Sequence, residues 1–470
     1  MRFLRILTAV GTCAATTHAL YAQSRPTIRQ LGRVTASSSD SLGPISNIRS
    51  LPNGRLLVND VAHRRVLMLD STLRIVSVIA DSTSATANAY ASQTGALIAF
   101  RGDSTLFVDP ASLSMLVIDP KGTIGRVMSV PRAQDAMMLA GTVFGGAAYD
   151  GVGHLVYRGT PSVQMRMGGA MTSGGAGAMG SPSIADSMPI IRVDLATRAV
   201  DTAGFVKIPK TTTALSRGDD GAITVSVEVN PLPIVDEWAM TADGAIGIIR
   251  GADYHVEWMT PDRTRTISPK VTFDWKRLTD EDKAALIDSV KARRERMEAA
   301  APPGQGGFGA LQAAANSMGL GGMLSGAGGG NAQVRFETGA APGGAGRAGG
   351  GGAGAAGGGR GAPAGGIAAM MANIKTNITY VSPSQLPDYQ PPFLANSAKA
   401  DADGNIWLLT IPTKQIPGGT VYDVINRKGD VVERVQIPEN RAIVGFGAGG
   451  IVILGEVDGL TMKLERARVR

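Results

Sequence analysis

Residues 51–70 read LPNGRLLVNDVAHRRVLMLD, and this stretch decides the fold. Pro52, Asn53 and Gly54 are a turn signal, because proline presets one backbone angle and Asn-Gly accepts the left-handed ones. An apolar strand follows from Leu56, then a polar break, then a second apolar strand that closes on Asp70. Two such runs joined by a short polar loop read as antiparallel partners.

The same unit recurs along the chain. Turn-plus-strand copies stand at residues 54–58 (GRLLV), 104–108 (STLFV), 153–157 (GHLVY), 244–248 (GAIGI), 404–408 (GNIWL) and 450–454 (GIVIL). Each is followed by a hairpin: Val66 to Val78, Met115 to Val130, Ile190 to Ile208, His255 to Ile267, Val421 to Ile437, and a shorter one from Leu460 to Val469. A less regular strand precedes each copy, as at Ile45 to Leu51, Gly95 to Phe100, Val235 to Met240 and Arg441 to Phe446. Four strands per unit at a period of about 50 residues predict an all-β chain, a six-bladed β-propeller of four-stranded antiparallel blades. The last unit is short of an outer strand, and Ile28 to Val34 is expected to supply it and so close the ring.

Blade one carries a resemblance. Asp60, Arg65 and Val66, followed by an apolar strand ending in Asp70, resemble an NHL repeat. Asp109 and Asp119 keep part of the pattern in blade two, and blade five keeps only its turn and strands. The resemblance covers roughly residues 28 to 271 and 390 to 469. It implies the propeller architecture and a loop-bracing pair of Asp60 with Arg65, and it names no catalytic residue. Similar propellers include scaffolds, ligand binders, a lyase and gluconolactonase-like hydrolases.

Outside the repeats, residues 1–22 read as a signal peptide, with Arg2 and Arg5 ahead of an apolar stretch and small residues before Gln23. A periplasmic or secreted protein is expected, with no transmembrane segment after cleavage, since no run of about 18 apolar residues exists. The single cysteine, Cys13, lies in that leader, so the mature chain has no disulfide. Lipidation of Cys13 is the lesser alternative. Losing Arg2 and Arg5 takes the formal charge from +7 to +5, without a basic run flanked by aromatics, so no nucleic-acid partner is expected.

The chain divides into the signal (1–22), blades one to four (23–271), an inserted helix (272–299), a low-complexity insertion (300–379) and blades five and six (380–470). Thr279 caps the helix ahead of Asp280, Glu281 and Asp282, Lys291 to Arg296 crowd its other end, and Leu286, Val290 and Met297 share one face. Residues 300–366 are Gly/Ala/Pro-rich and predict disorder, for want of apolar residues to offset the entropy of ordering. Residues 160–188, rich in Gly, Met and Ser, predict a mobile loop in blade three, and residues 210–234 an extended connector.

The chemistry-bearing residues are sparse. Beyond the leader, which holds His18, three histidines, His63, His154 and His255, sit at different repeat positions, so no zinc signature and no metal site are expected. The DADGN run at 401–405 is a strand turn, since a calcium loop needs a glutamate where Pro412 stands. No nucleophile elbow or phosphate loop is present. Propellers bind ligands at the channel mouth, where the first strands converge, which selects Asn47, Arg49, Gln93, Asp236, Glu237, Trp238, Asn396, Lys399 and Arg441. Asp236, Glu237 and Trp238 suit a cation, a sugar or a metal. The function expected is a monomeric binding or interaction module for a protein or small molecule, without a cofactor. The alternative is a gluconolactonase-like hydrolase or lyase holding calcium through Glu237, Asn47 and Asn396.

Overall fold

The second strands of the repeats explain the architecture. Leu56–Asp60 and Thr105–Asp109 are buried at every position rather than at alternate ones. A strand of that kind must be covered on both faces. The computed structural model describes residues 25–469 apart from 41, 44, 83–94, 142–145, 161–162, 166–181, 211, 218–222, 301–373, 415 and 459–460. Residues 1–24 with Cys13, Gln93 and the Gly-rich core of the long insertion lie outside those residues.

Six antiparallel meanders form the propeller. Blade one runs outward as Ile45–Ser50, Leu56–Asp60, Arg65–Leu69 and Ile75–Ala80. The innermost strands of the others are Ala96–Ala99, Ala148–Tyr149, Glu237–Met240, Phe393–Ala400 and Arg441–Gly447. The core is divided into six seams, one between each pair of neighbouring blades. Leu57 packs toward blade two while Leu56 and Val58 pack toward blade six. Each such side chain contributes about 1.5–3 kcal/mol by leaving water.

Ring closure uses the N-terminal segment, a few residues away from where the sequence suggests. Ala36–Ser37 is the outer strand of blade six, pairing with Arg466 and Glu465. Ile28–Gln30 instead lies parallel to Val431–Pro438 as a fifth strand on blade five. Arg25 anchors this segment, donating through Nη2 to both oxygens of fully buried Asp423 at 2.8 and 3.2 Å. Arg434 and the Tyr254 hydroxyl donate to the same carboxylate.

A meander puts its first and third connections at one end and its second connection, with the link to the next blade, at the other. Every blade therefore shows short turns on one face, the turn face. The opposite, insertion face carries all the long segments: residues 159–186, 208–236 and 268–392. A seventh, five-stranded sheet is built from these, from Val163–Met165, Pro182–Ile184, Thr212–Arg217, Ile223–Val229 and Ile374–Tyr380. Parts of the expected loop, connector and low-complexity segments are thus strands. Two of its pairings are hairpins within one insertion, and the two that join the insertions are brought together by the ring.

The helix Asp280–Ala300 is capped as expected, with Thr279 Oγ1 accepting from Asp282 N and Asp282 Oδ2 accepting from Thr279 N. Its docking face is rotated toward Ile287, which packs with Leu232 and Leu386 and with Leu286, Leu394 and Ile411. Val290 is half-buried, and the side chain of Met297 lies outside the described residues. Lys283 reaches Asp388 at 2.8 Å, and Arg294 donates to Ile378 O. No described helix is long and apolar enough to cross a membrane.

Candidate functional site

The expected residues separate into those that brace blades and those that gather. Asn47 donates to Leu97 O and accepts from Leu97 N, tying blade one to blade two with both ends of its amide. Arg49 donates to Ser50 O, and burial pulls its guanidinium down. Arg441 is clamped inside blade six by Glu465 at 2.6 Å and Glu456 at 3.1 Å, which holds its guanidinium above the usual range. Trp238 packs into the seam between blades three and four. Asp236 accepts from Lys207 N, Gly251 N and Arg250 Nη1 at 2.7 Å, and Arg250 also holds Glu257. All five are fastened within the scaffold.

Glu237 and Asn396 come together on the inner wall where blades four and five meet, with Lys399 three residues further along the same strand. Phe393–Ala400 is bulged, its register slipping between Phe393 and Ala398. Asn396 takes φ +65° in that bulge, a conformation asparagine tolerates better than most residues. The bulge aims Asn396 N at Glu237 Oε1, 2.8 Å away. Glu237 is 1% exposed, and its Oε2 is buried with no hydrogen-bond partner among the described residues. Burial pushes its carboxyl up, against the pull of Arg158 and of the backbone amides of Asn396 and Ala398. Burial pulls the Lys399 ammonium down, opposed by Glu237.

Arg158, 3% exposed, completes the cluster from blade three with Nη2 3.7 Å from Glu237 Oε1. It ends the second strand His154–Arg158, not a first strand, so the channel-mouth rule misses it. The signal that finds it is a comparison of blades, since Asp60 and Asp109 end the equivalent strands of blades one and two. Next to Asn396, Ser397 is 4% exposed with its Oγ also buried and unpartnered. The site thus sets Arg158 against Glu237, with Glu237 Oε2 and Ser397 Oγ among its buried atoms that lack a hydrogen-bond partner among the described residues.

The remaining polar groups are occupied. Asp60 accepts from Arg65 Nε at 2.9 Å and Gly43 N at 3.2 Å and pairs with His63, as a loop brace should. His154 pairs with Asp150, and His255 with Asp253. Asp401 closes the DADGN turn by accepting from Asp403 N and Asn405 N. No group of three or more His, Cys, Asp or Glu is assembled for a metal among the described residues. The set Glu237, Asn47 and Asn396 does not fit a divalent ion, because Asn47 is spent on Leu97 and two cations face Glu237.

No family model and no curated protein matches the chain. Among solved structures it is similar to a gluconolactonase from Xanthomonas campestris, at 9% identity over 94% of this chain and 97% of that one, with a TM-score of 0.37. It is similar to the calcium-binding protein regucalcin of Agrobacterium tumefaciens, at 9% identity over 94% and 98%, with a TM-score of 0.31. A PQQ-bound aldose sugar dehydrogenase from Streptomyces coelicolor aligns at 11% identity over 95% and 100%, with a TM-score of 0.36. Likeness this distant carries no argument about activity; the propeller stands on its own strand pairing.

Proposed function

We propose that the chain is an exported binding module of the NHL-like propeller type, with its ligand site on the inner wall where blades three, four and five meet. The observation that carries this reading is Glu237 Oε2, a buried acceptor without a donor beside Arg158 and Lys399. A buried unsatisfied acceptor costs about 1–3 kcal/mol, which a bound donor recovers. The fully satisfied carboxylate of Asp236, one residue away, shows what the scaffold does when only structure is needed. Export rests on the leader at residues 1–22 and the cysteine-free remainder.

Thermal denaturation of the purified mature protein against small organic acids, sugars and lactones tests the reading. A concentration-dependent rise in Tm with at least one class, lost in Lys399→Met and without turnover, is the expected result. Silence from every class overturns it. Lactone turnover that depends on calcium moves the chain to the hydrolase reading instead. Cell fractionation with N-terminal sequencing checks export, with a mature start near Gln23 expected.

A further inference from the structure

The insertion at residues 268–392 is closed at its root by its own two ends. Gln390 N donates to Lys276 O at 2.9 Å and Leu278 N to Asp388 O at 2.8 Å, which makes Arg277 and Tyr389 an antiparallel pair. Bonds on either side of a pair and none within it mark the close, non-hydrogen-bonded kind, whose side chains stand together on one face. The opposite face is taken up by the scaffold, since Leu278 packs with Ile287 and Leu386 and the Gln390 amide donates to Ile411 O. Arg277 and Tyr389 therefore face outward; both are exposed, Tyr389 by 49%.

Trp275, two residues earlier, is 39% exposed and brings a second ring. Its position is fixed from behind, because Phe273, buried in the seam of blades four and five, meets it edge-on with centroids 5.4 Å apart. A ring held in this way loses little freedom when a ligand lies on it. Among the described residues, Trp275 Nε1, the Tyr389 hydroxyl and the Arg277 guanidinium make no hydrogen bond. Arg277 reaches Asp388 only through its field, and Lys283 holds that carboxylate at 2.8 Å.

The charges of the root call for neither an acidic nor a basic polymer. Lys276, Arg277 and Lys283 stand against Asp274, Asp280, Glu281, Asp282 and Asp388, which disfavours an anion, while Arg277 on the outward face disfavours a cation. A ladder two strands wide offers a flat face, not the aromatic-lined groove in which a proline-rich peptide docks. A sugar suits what is there: its C–H face lies on a ring, and its hydroxyls, donors and acceptors at once, meet the guanidinium, the indole N–H and the phenol. We infer that this face binds a neutral oligosaccharide, one unit stacked on Trp275 and a neighbouring unit on Tyr389, with Arg277 donating to their hydroxyls. It is a second site that shares no residue with the inner wall and does not depend on what that wall binds.

Calorimetric titration of the mature protein tests it, with hexasaccharides of α-1,4-glucose, β-1,4-glucose, xylose and N-acetylglucosamine set beside hexagalacturonate and a decaproline peptide. At least one neutral hexasaccharide binds, and its monosaccharide binds at least about ten-fold more weakly because it covers one ring only. Trp275→Ala and Tyr389→Ala each weaken the hexasaccharide by about ten-fold or more at unchanged Tm, as expected of exposed side chains. Trp275→Phe, which keeps a ring on Phe273, stays within about three-fold, which separates loss of stacking from loss of fold. Lys399→Met leaves the affinity unchanged, which separates this face from the inner wall. Hexagalacturonate binding as tightly as the neutral sugars, decaproline binding alone, a monosaccharide as good as its hexamer, binding that survives both alanine variants, or no binding at all overturns the inference.

Discussion

On the turn face, carboxylates are saturated. Asp70 accepts from Thr72 N and Arg74 N, and Asp119 from Lys121 N and Thr123 N. Asp150 accepts from three successive backbone amides, and Asn426 repeats the pattern in blade five. Each loop there is about as short as an antiparallel connection allows, and its side chains are spent on its own backbone. On the insertion face the chain wanders through a seventh sheet and a helix, and Glu237 at its inner margin keeps an oxygen unspent. Stability is concentrated at one end of the ring and freedom to recognise something at the other. A propeller tolerates this division because long loops cost little extra closure entropy, about 0.6 kcal/mol per doubling of length.

The contrast is sharpest in steric terms. A Cβ on Gly244, at φ +82°, would stand 2.3 Å from Asp150 O, a backbone atom of the neighbouring blade. Gly404, at φ +89° in the equivalent turn, has nothing within 4 Å. Gly244→Ala is expected to cost about 3 kcal/mol or more in urea denaturation and Gly404→Ala about 1 kcal/mol, the backbone penalty alone. Equal losses would break the claim that the turn face is interlocked between blades.

Asp401→Ala comes next, at about 2 kcal/mol, because it strands the buried Trp407 Nε1 along with two turn amides. Lys399→Met, two residues before that turn, goes the other way, raising stability by about 1 kcal/mol while losing the ligand, as replacing a strained functional group commonly does. Its pH dependence has a definite sign. Lys399 has a lowered folded pKa, so the folded state binds fewer protons, and wild-type stability rises as pH climbs from that value toward the ordinary lysine range. The advantage of the methionine variant shrinks over the same window.

Acid has the smallest effect per residue, and on the turn face it acts through aspartates that hold backbone amides. Hydrogen bonds from Thr72 and Arg74, and from Thr197 and Ala196, hold Asp70 and Asp194 below the usual carboxylate range. Their folded pKa values are depressed, so their contribution is present above about pH 4 and is lost as pH falls through the folded values. Hydrogen exchange below pH 4 is expected to accelerate first at Thr72, Arg74, Ala196 and Thr197. Earlier loss at insertion-face amides of comparable burial would reverse the comparison.

This division also explains what could be read from the sequence. Blade strands were legible because burial on two faces gives unbroken apolar runs such as Leu56 to Val58, punctuated by aspartate turns. The seventh sheet was not, because it joins two hairpins and a single strand from three insertions, and the pairs that join them span blades. Closure was legible in kind but shifted, since residues 28–37 hold two short strands that serve different blades. Glu237, Asn396 and Lys399 were reachable from their places on first strands. Arg158 was not, for its partner is 79 positions away, across a blade boundary.

The arrangement that seats Arg25 on Asp423 and Ala36 beside Arg466 has a consequence for how the molecule is made. A chain emerging N-terminus first carries its closing strands from the outset but has nothing to lay them on until some 400 residues later. Blades one to four can each form as hairpins appear, whereas the closing strand of blade six stays unpaired until synthesis is nearly complete. Such distant pairing is slow, and in the interval the unpaired edge of blade six is the part most exposed to misassociation. The last seam to close is thus the one between the newest and oldest parts of the polypeptide, and a chaperone has most to protect there.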